Sequence, residues 1–504
     1  MKYLQGQHIL ILGLGSSGLA MTRWCAQMGA DITVADTRES PANLQVLKSE
    51  LPEVQFKSGP FAANLIEGTS VRAVFASPGL TPIETLPVIA AAQAMGLWVG
   101  GELSLFVQAL ENLKATRDYA PQVLAITGTN GKTTVTALTG QLIERAGKTV
   151  KVAGNIGPTL LDTLRLSMTT ALPEVWVLEL SSFQLDNAGP FEPSAATVLN
   201  ITQDHLDWHG NMAAYAAAKE KIFGASSLMV LNRDDARVMA MLPEPVRAKL
   251  QKPVVRAHVT YGAEMPQRPG DFGLETVNGM TWLVRALEAD ETRRLRKGEV
   301  EEIHIQRLMP ADALRIRGRH NAVNALAALA LATSTGASLA SMLFGLREYK
   351  GEPHRVEPVA IVNEVEYFDD SKGTNVGATV AALLGLGAER RVVVILGGEG
   401  KGQDFSPLAE PVARYARAVV LIGRDAPLIR EEIKASGVPL IDASTLPEAV
   451  NAAKNMAQAG DAVLLSPACA SFDMFRDYPH RAQVFCQAVA EIAEAAGQVM
   501  EASL

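Results

Sequence analysis

The chain has 504 residues, of which 48% are hydrophobic and 20% charged, and its formal net charge is −8. This composition is typical of a well-buried globular protein and excludes a disordered one, and the length suffices for two to four domains of ~150 residues. The negative charge argues against nonspecific nucleic-acid binding, which needs a basic surface. No apolar run approaches the ~20 residues of a membrane helix. The three cysteines, Cys25, Cys469 and Cys486, are widely separated, which fits a reducing compartment. We therefore expect a cytoplasmic protein without membrane insertion.

The first segment alternates between short apolar strands and helical patterns. "HILIL", "DITVA" and "AVFAS" predict strands, and "GLAMTRWCAQM" predicts a helix that stops near Gly29. This alternation indicates a parallel sheet with crossover helices. We interpret the polar stretch "ENLKATRDYAPQ", residues 111–122, as a linker.

A glycine motif lies in the first predicted turn. Gly13, Gly15 and Gly18 have the spacing G-x-G-x-x-G, and Asp36 ends the next strand. This pattern is typical of a dinucleotide site, with the acid on the ribose, so an NAD-dependent dehydrogenase is one interpretation. The motif alone is weak evidence, because the same turn suits any nucleotide diphosphate.

A second α/β unit opens with a glycine-rich loop. The strand "VLAIT" runs into "GTNGKTT", residues 128–134, and a helix follows. Glycines let backbone N–H groups face a phosphate, Lys132 can reach the β- and γ-phosphates, and the Thr133 hydroxyl can bind Mg²⁺. The usual P-loop has glycine where this chain has Ile126, so the motif is a variant of that loop. The alternative is a glycine-rich turn without a ligand.

Further elements continue the pattern. "VWVLEL", "AATVLN" and "SSLMVLN" predict strands, residues 318–336 predict an alanine-rich helix, and residues 351–359 contain two prolines and suggest a hinge. We interpret the highly charged stretch 285–307 as a solvated insertion or an exposed hairpin. "VEYFDD", "RRVVVILGG", "RAVVLIG", "VPLID" and "DAVLLSP" predict the strands of a third α/β unit.

Several motifs outside the glycine loops carry a family resemblance. "AGNIG" (153–157), "LELSSFQL" (178–185), "NITQDHLDWHG" (200–210) and "YAAAKEKIF" (215–223) accompany "TGTNGKTT". "DDSKGTN" (369–375), "LGGEGKGQDF" (396–405) and "LLSPACASFDMF" (464–475) lie in the third unit. Together they resemble the Mur ligase family, and within it the members that add D-glutamate to UDP-N-acetylmuramoyl-L-alanine in peptidoglycan synthesis.

The resemblance implies an α/β fold of three consecutive domains. Residues 1–112 would form a Rossmann-like, UDP-sugar-binding domain. Residues 113–351 would form a P-loop-type central ATPase domain with a mostly parallel sheet, and residues 352–504 a Rossmann-like, amino-acid-binding domain. The implied activity joins a carboxylate to an amine with ATP through an acyl phosphate, and a monomer is expected. By this resemblance "GLGSSG" faces a UDP-sugar, not NAD.

The resemblance also implies how the centre of the reaction is built. Lys132, Asn155, Glu179, His205 and Lys219 would be the catalytic residues. An acid such as Glu179 at a strand's carboxyl end points into the crevice where α/β ligands bind. Lys219, taken alone, predicts a solvated helix lysine, but the matching family lysine is carbamylated, which supplies carboxylate-like oxygens for Mg²⁺. With Thr133, Glu179 and His205, it would hold two Mg²⁺ ions.

Three binding sets complete the implied site. The ATP set is Gly128, Thr129, Asn130, Gly131, Lys132, Thr133, Thr134, Asn321, Arg355 and Asp370. The UDP-sugar set is Gly15, Ser16, Ser17, Gly18, Asp36, Thr37, Arg38 and Gly79. The D-glutamate set is Lys372, Thr374, Lys401, Ser471, Phe472 and Tyr478, in which cations and hydroxyls suit a ligand with two carboxylates. We interpret Cys469 as a packed residue and not a nucleophile.

Three other functions are compatible with some of these motifs. A ligase of the same superfamily with another substrate, such as a folylpolyglutamate synthetase, would share the ATP loop. A nucleotide-regulated binding protein would need the loop but not Glu179, His205 and Lys219 together. A dehydrogenase would leave "TGTNGKTT" without a purpose.

Overall fold

The computed structural model describes residues 3–246, 254–289, 302–388 and 390–498. Within these ranges the chain forms four β-sheets connected by helices. It packs into two compact units, one of residues 1–201, 205–261 and 327–342, the other of residues 202–204, 262–326 and 343–504. The prediction of an α/β fold with parallel sheets is confirmed.

The first sheet is parallel and has five strands in the order β3-β2-β1-β4-β5. Its strands are β1 (His8–Leu12), β2 (Asp31–Asp36), β3 (Gln55–Ser58), β4 (Val71–Ala76) and β5 (Trp98–Gly100). The helices of this region are α1 (Ser16–Gln27), α2 (Leu44–Glu50), α3 (Pro82–Ala94) and α4 (Glu102–Arg117). The central strand β1 is apolar and buried from Ile9 to Leu12, as expected where helices cover both faces of a parallel sheet.

The prediction of a linker over residues 111–122 is wrong for most of its length. Helix α4 continues to Arg117, and β6 begins at Gln122. The polar side chains that suggested a linker lie on the outer face of α4, while Leu113 is buried. A helix with one solvated face has the same local composition as a linker, and its apolar contacts are visible only in the folded chain.

The second sheet is parallel and has six strands in the order β11-β10-β9-β6-β8-β7. Its strands are β6 (Gln122–Thr127), β7 (Val150–Gly154), β8 (Val175–Glu179), β9 (Ala195–Val198), β10 (Leu228–Asn232) and β11 (His258–Tyr261). Its helices are α5 (Lys132–Arg145), α6 (Leu160–Thr169), α7 (Ser182–Asp186), α8 (Leu206–His209), α9 (Met212–Glu220) and α10 (Ala236–Met239). One apolar core joins this sheet to the helices around the first sheet.

A three-stranded antiparallel sheet was not predicted from the sequence. It consists of β12 (Phe272–Val277), β13 (Met280–Glu288) and β14 (Ile303–Pro310). The charged stretch 285–307 begins in β13 and ends in β14, where Glu288 pairs with Ile303. This pairing agrees with the predicted hairpin, and residues 290–301 lie outside the described residues. Helices α11 (Arg319–Thr333) and α12 (Leu339–Glu348) follow.

The last sheet has six strands in the order β15-β16-β20-β17-β18-β19. Its strands are β15 (Glu357–Val362), β16 (Val365–Asp369), β17 (Val392–Gly397), β18 (Ala416–Ile422), β19 (Leu440–Asp442) and β20 (Ala462–Leu465). Its helices are α13 (Val376–Gly387), α14 (Ala409–Tyr415), α15 (Ala426–Ile433), α16 (Leu446–Met456) and α17 (Tyr478–Ala495). The edge strand β15 pairs antiparallel with β16, and the other pairs are parallel.

Short 3₁₀ turns complete the secondary structure. They span Ala63–Leu65, Lys221–Phe223, Ala311–Ala313, Ser406–Leu408 and Lys434–Ser436. None of the helices in the described ranges has the length and apolarity needed to span a membrane.

The first glycine turn depends on one close contact. Gly13 has φ +83°, and a Cβ at Gly18 would lie 1.9 Å from the Gly13 carbonyl oxygen. The helix that follows β1 can therefore pack against this turn only when residue 18 has no side chain. This is the physical basis of the third glycine in the motif.

We expect Gly18→Ala to lower the free energy of unfolding by at least ~1–3 kcal/mol, the usual cost of overpacking. Urea denaturation monitored by circular dichroism measures this effect. Gly79→Ala is the matched control, because a Cβ at Gly79 meets nothing within 4 Å and its φ is not left-handed. Equal stability of the two variants would contradict the role given to the contact.

Candidate active site

The phosphate-loop motif lies between strand β6 and helix α5, as predicted. Gly128 and Gly131 have φ +152° and +84°, and a Cβ at Gly128 would lie 2.9 Å from the Cβ of Leu199. The Lys132 ammonium donates hydrogen bonds to the carbonyls of Gly128 and Thr129, both at 2.9 Å. The lysine therefore lies over the loop at the amino end of α5, where backbone N–H groups and the helix dipole favour an anion.

Asn200 holds the loop and was missed in the sequence. Its Oδ1 accepts the Asn130 N–H at 2.9 Å, and its Nδ2 donates to the Asn130 carbonyl at 3.1 Å. The Thr129 N–H donates to the Asn200 carbonyl at 2.9 Å. The loop therefore takes part of its shape from the end of the neighbouring strand β9. Thr133 and Thr134, which begin α5, are buried.

Glu179 and Asn155 lie together, although 24 residues separate them. Glu179 ends β8 beside β6 and is buried. Its Oε1 accepts the Asn155 Nδ2–H at 3.0 Å, and its backbone carbonyl accepts the Asn155 N–H at 2.8 Å. Its Oε2 is buried without a hydrogen-bond partner within the described chain. A Cβ at Gly154 would lie 2.2 Å from the Glu179 carbonyl oxygen, so this close pairing requires the glycine.

Lys219 is buried, which contradicts the solvated helix lysine predicted from its local pattern alone. Its Nζ donates to the Gly128 carbonyl at 2.9 Å and to Thr127 Oγ1 at 3.3 Å. The ammonium also lies 4.7 Å from the centre of the Tyr215 ring, and the Tyr215 hydroxyl is 3.2 Å from Thr129 Oγ1. Helix α9 therefore places this lysine against the phosphate loop, next to the residues that the family resemblance selected.

His205 begins an aromatic cluster. It has φ +53°, and its ring lies 4.8 Å from that of Phe183 in an edge-on arrangement. His209 stacks on Phe183 with the ring centres 5.7 Å apart, and its Nε2 lies 2.9 Å from Ser182 Oγ. Burial is the main cause that lowers the pKa of His209 to about 4, so this ring is neutral near pH 7. The sequence reasoning did not select His209 or Ser182.

The turn after β2 depends on Asp36, which is buried. Its Oδ2 accepts the Leu14 N–H at 2.7 Å, and its two oxygens accept Arg38 Nε–H and Nη2–H at 2.8 Å. These bonds from Arg38 are the largest cause that lowers the pKa of Asp36 to about 2. Asp36 therefore ties the second strand to the glycine turn. Thr37 and Gly79 are exposed.

Glu102 is a buried acid that the sequence reasoning missed. It begins α4, and its Oε1 accepts the Leu161 N–H at the start of α6 at 3.0 Å. Burial raises the pKa of Glu102 to about 7, although hydrogen bonds from Leu161 and the hydroxyl of Ser17 oppose the shift. The Ser17 position, at the start of α1, thus borders this carboxyl group. Gly15 precedes that helix, and Ser16 is its first residue.

A cavity of about 540 Å³ brings Asn321 and Arg355 together. Asn321 lies at the start of α11, donates to the Arg317 carbonyl at 2.8 Å and accepts from Asn324 Nδ2 at 3.2 Å. The basic residues of the cavity wall are Arg315, Arg317, Lys350, Arg355 and Arg390. The wall also carries the acids Glu352, Glu357 and Glu366, so its basic residues exceed its acids by two, which suits an anionic ligand.

Asp370 follows strand β16 and is fully enclosed. Its Oδ2 accepts the Ser466 hydroxyl at 2.6 Å, and its Oδ1 accepts the Val356 N–H at 3.3 Å. Burial raises the pKa of this carboxyl group from 3.8 to about 7. A Cβ at Gly373 would lie 2.5 Å from Asp370 Oδ2, so the turn after β16 needs glycine there.

The predicted amino-acid set forms two cation–ring pairs. Lys372 Nζ is 5.6 Å from the centre of the Tyr478 ring, and Lys401 Nζ is 5.9 Å from that of Phe472. Ser471 is buried, whereas Phe472 is 64% exposed and available for contact with a ligand. Thr374 is half-buried in the turn that carries Lys372.

Arg481 connects the two turns of this set and was missed in the sequence. It is buried in α17, and its guanidinium donates to the carbonyls of Ser371 at 2.7 Å and Cys469 at 3.1 Å. Burial lowers the pKa of Arg481 to about 10. The predicted packing role of Cys469 agrees with its complete burial, which raises the pKa of its thiol to about 12.

Three family models match the chain in order. The Mur ligase MurD-like N-terminal domain matches residues 7–101, the Mur ligase middle domain matches residues 126–332, and the Mur ligase glutamate ligase domain matches residues 354–469. A UDP-N-acetylmuramoylalanine–D-glutamate ligase of Albidiferax ferrireducens is 70% identical over 502 residues, 99% of either chain.

The chain belongs to the Mur ligase family. It is therefore an ATP-dependent amide ligase, and the dehydrogenase interpretation of the first glycine motif is excluded. Proteins with the same name as the Albidiferax relative occur in a Polaromonas species at 58% identity, covering 99% of this chain and all of the relative. In Cupriavidus pinatubonensis the identity is 57%, with 98% and 99% covered.

Solved structures support the fold of this Mur ligase. The UDP-N-acetylmuramate–alanine ligase of Thermotoga maritima matches with a TM-score of 0.54 at 20% identity, covering 96% of this chain and 99% of its own. The MurF ligase of the same organism, solved with ADP, matches with a TM-score of 0.55 at 15% identity, covering 98% and 96%. At these identities the likeness shows the fold alone.

The family uses ATP and Mg²⁺, and the residues of this Mur ligase fit both. The unpartnered, buried Oε2 of Glu179 is a hard oxygen ligand of the kind that Mg²⁺ prefers. A side chain at Gly128 would crowd Leu199, and Lys132 places a positive charge beside the loop. Thr133 lies next to Lys132 at the helix start, where a hydroxyl ligand of the metal is expected.

We expect the stability of this Mur ligase to show a pH dependence that Asp370→Asn removes. The folded protein binds a proton at Asp370 between pH 3.8 and about 7, where the unfolded chain has lost it. The contribution of Asp370 to the free energy of unfolding is therefore greatest at low pH and is lost as pH rises through this range. The free energy of unfolding of Asp370→Asn, measured relative to that of the parent protein, should therefore be about 2–4 kcal/mol more favourable to the folded state at pH 8 than at pH 5.

Urea denaturation at both pH values measures the difference. Asp404→Asn is the control, because Asp404 is exposed and hydrogen bonds from Ser406 shift its pKa downward, not upward. A constant stability difference between Asp370→Asn and the parent protein would contradict the buried, protonated carboxyl group.

Proposed function

We propose that this Mur ligase adds D-glutamate to UDP-N-acetylmuramoyl-L-alanine, with ATP converted to ADP and phosphate. The observation that carries the proposal is the full-length identity of 57–70% to ligases named for this reaction. The paired Lys372–Tyr478 and Lys401–Phe472 contacts support it, because they place two cations on the surface proposed to receive a dicarboxylate.

The reaction has to overcome the repulsion between a carboxylate and the γ-phosphate of ATP. Lys132 is proposed to contact the β- and γ-phosphates, and Asn155 to orient the substrate beside Glu179. Thr133, Glu179, His205 and Lys219 are proposed to hold Mg²⁺, which when bound offsets the charge of the phosphates. Phosphoryl transfer to the carboxylate gives an acyl phosphate, which the amino group attacks with release of phosphate.

The other sets follow from the predicted three domains. Residues 1–112 are proposed to bind the UDP-sugar through Gly15, Ser16, Ser17, Gly18, Asp36, Thr37, Arg38 and Gly79. Residues 113–351 are proposed to bind ATP through residues 128–134 and Asn321, with Arg355 and Asp370 of residues 352–504 completing the set. The last domain is proposed to bind D-glutamate through Lys372, Thr374, Lys401, Ser471, Phe472 and Tyr478. We place the activity in the cytoplasm and assign it to a monomer.

Phosphate release with ATP, Mg²⁺ and UDP-N-acetylmuramoyl-L-alanine tests the reaction. We expect release that depends on D-glutamate and is at least ~10-fold slower with L-glutamate or meso-diaminopimelate, because the binding cations must match both carboxylates of one enantiomer. A preference for another amine would overturn the proposed amino-acid site but not the ligase mechanism. Turnover with a folate substrate alone would favour a folylpolyglutamate synthetase.

Lys219 is proposed to act as a carbamate. Its buried Nζ contacts the Gly128 carbonyl beside the phosphate loop, where addition of CO₂ would replace a cation by an oxygen ligand. We expect Lys219→Ala to lose at least ~100-fold in rate and to regain part of it when a short carboxylate such as acetate is added, because the carboxylate replaces the missing ligand.

Lys221→Ala is the matched control for Lys219→Ala. Lys221 lies two residues later and pairs with Asp186 at the surface, so its loss should leave the rate within ~2-fold. Full activity of Lys219→Ala without added carboxylate would contradict the proposed carbamate.

A further inference from the structure

His354 occupies an unusual position in the last domain. It has φ +63°, in the left-handed region that histidine rarely adopts. Its N–H donates to Glu357 Oε2 at 2.8 Å, and its carbonyl accepts the Lys372 N–H at 3.2 Å. These two backbone bonds hold the residue in place and connect it to the turn that carries Lys372.

The His354 ring is oriented by a buried carboxylate. Nδ1 lies 2.7 Å from Asp369 Oδ2, and Asp369 is 1% exposed. The other oxygen, Oδ1, accepts the N–H of Ser371 at 2.9 Å and its hydroxyl at 2.5 Å. Because Oδ2 is an acceptor, it favours the tautomer with a proton on Nδ1, which leaves the lone pair on Nε2.

The ring lies at the proposed amino-acid site. It meets the Tyr478 ring edge-on, with the ring centres 5.9 Å apart, and the same Tyr478 ring lies 5.6 Å from the Lys372 ammonium. The side chain of His354 is 30% exposed, so solvent and small ligands reach it. An oriented imidazole therefore borders the site where the amine is proposed to bind.

We propose that His354, oriented by Asp369, accepts the proton that the α-ammonium group of the incoming amino acid loses before it attacks. This inference rests on the proposed function. The ammonium N–H bond breaks, and its proton goes to Nε2 of the imidazole. The neutral amine then forms a C–N bond to the acyl carbon, the C–O bond to phosphate breaks, and the second amine proton leaves with the phosphate.

Two acids lie beside the His354 ring. Glu357 on β15 and Asp369 on β16 each have an oxygen atom within 4.8 Å of a His354 ring nitrogen. Charged groups also lie nearby in the chain or in contact with its partners, namely Arg355, Asp370, Lys372 and Arg481.

Hydroxylamine can replace D-glutamate as the nucleophile, which distinguishes removal of the ammonium proton from the earlier formation of the acyl phosphate. It is a neutral nucleophile near neutral pH and attacks an acyl phosphate without loss of a proton beforehand. The experiment measures two rates with ATP, Mg²⁺ and UDP-N-acetylmuramoyl-L-alanine, namely ligation of D-glutamate and formation of the hydroxamate. His354→Asn is the variant, because asparagine tolerates the left-handed backbone and can still donate to Asp369.

We expect His354→Asn to lower kcat for D-glutamate about 100-fold while hydroxamate formation stays within ~3-fold of the parent rate, as for loss of a general base. The residual D-glutamate rate of the variant should rise with pH, because free amine in solution then replaces the base. His480→Asn is the matched control, since the His480 ring contacts Phe475 and accepts from the Arg476 N–H, and it should alter neither rate.

The other outcomes overturn the inference. An equal loss of both rates would assign His354 to acyl phosphate formation or to folding. A rise in KM for D-glutamate with kcat unchanged would assign it to binding, and no loss would remove its role. Absence of hydroxamate and ligation in the parent protein would instead refute the proposed function.

Asp369→Asn provides a second, independent variant. The asparagine keeps the shape and can turn its Nδ2 toward His354, which favours the wrong tautomer. We expect the same separation of the two rates, with a loss in ligation of at least ~10-fold. Thermal unfolding of each variant shows whether the fold is intact, and rates that fall together in a stable variant would contradict the oriented pair.

Discussion

The hydrogen bond between the Lys219 ammonium and the Gly128 carbonyl connects helix α9 to the phosphate loop. It spans 91 residues of sequence. Gly128 can approach Leu199 closely because it has no side chain. Lys219 and Asn200 hold the loop from two other segments of the chain, and Lys132 donates back to the loop carbonyls from its own end. The loop therefore keeps its shape through the fold around it and not through its own sequence alone.

Buried ionisable groups position three turns or strand ends in the described part of the chain. Asp36 ties the second strand to the glycine turn, Glu179 holds Asn155, and Arg481 joins the two turns that carry Lys372 and Ser471. Burial removes the water around each of these groups, which costs free energy unless hydrogen bonds within the protein replace those to water. The cost explains why Asp36 and Glu179 occur at strand ends, where backbone N–H groups or polar side chains are available, and why Arg481 of α17 donates to two backbone carbonyls.

Two adjacent buried acids, Asp369 and Asp370, differ in the groups that surround them. Asp370 is enclosed, and burial raises its pKa to about 7, which suits a group that keeps a proton. Asp369 instead receives hydrogen bonds from Ser371 and faces His354, which suits a carboxylate that orients an imidazole. Two neighbouring residues of the same type therefore serve different purposes because their partners differ.

The sequence by itself determined the α/β class, the alternating strands and the turns whose geometry requires glycine. Gly13, Gly18, Gly128 and Gly131 could be read from local spacing, because a phosphate turn has few solutions in backbone conformation. The apolar strands could be read for a similar reason, since buried parallel strands are continuously apolar.

Tertiary structure decided what local pattern cannot express. Residues 111–117 look like a linker but complete α4, and Lys219 looks solvated but is buried, because burial depends on what packs against a residue from elsewhere in the chain. Glu102, Arg481 and His354 were not selected from a local motif, and the motif that begins at Asn200 does not show that this side chain bonds to Asn130. Their roles follow from contacts across tens of residues, and such contacts exist only when the strands have been placed side by side.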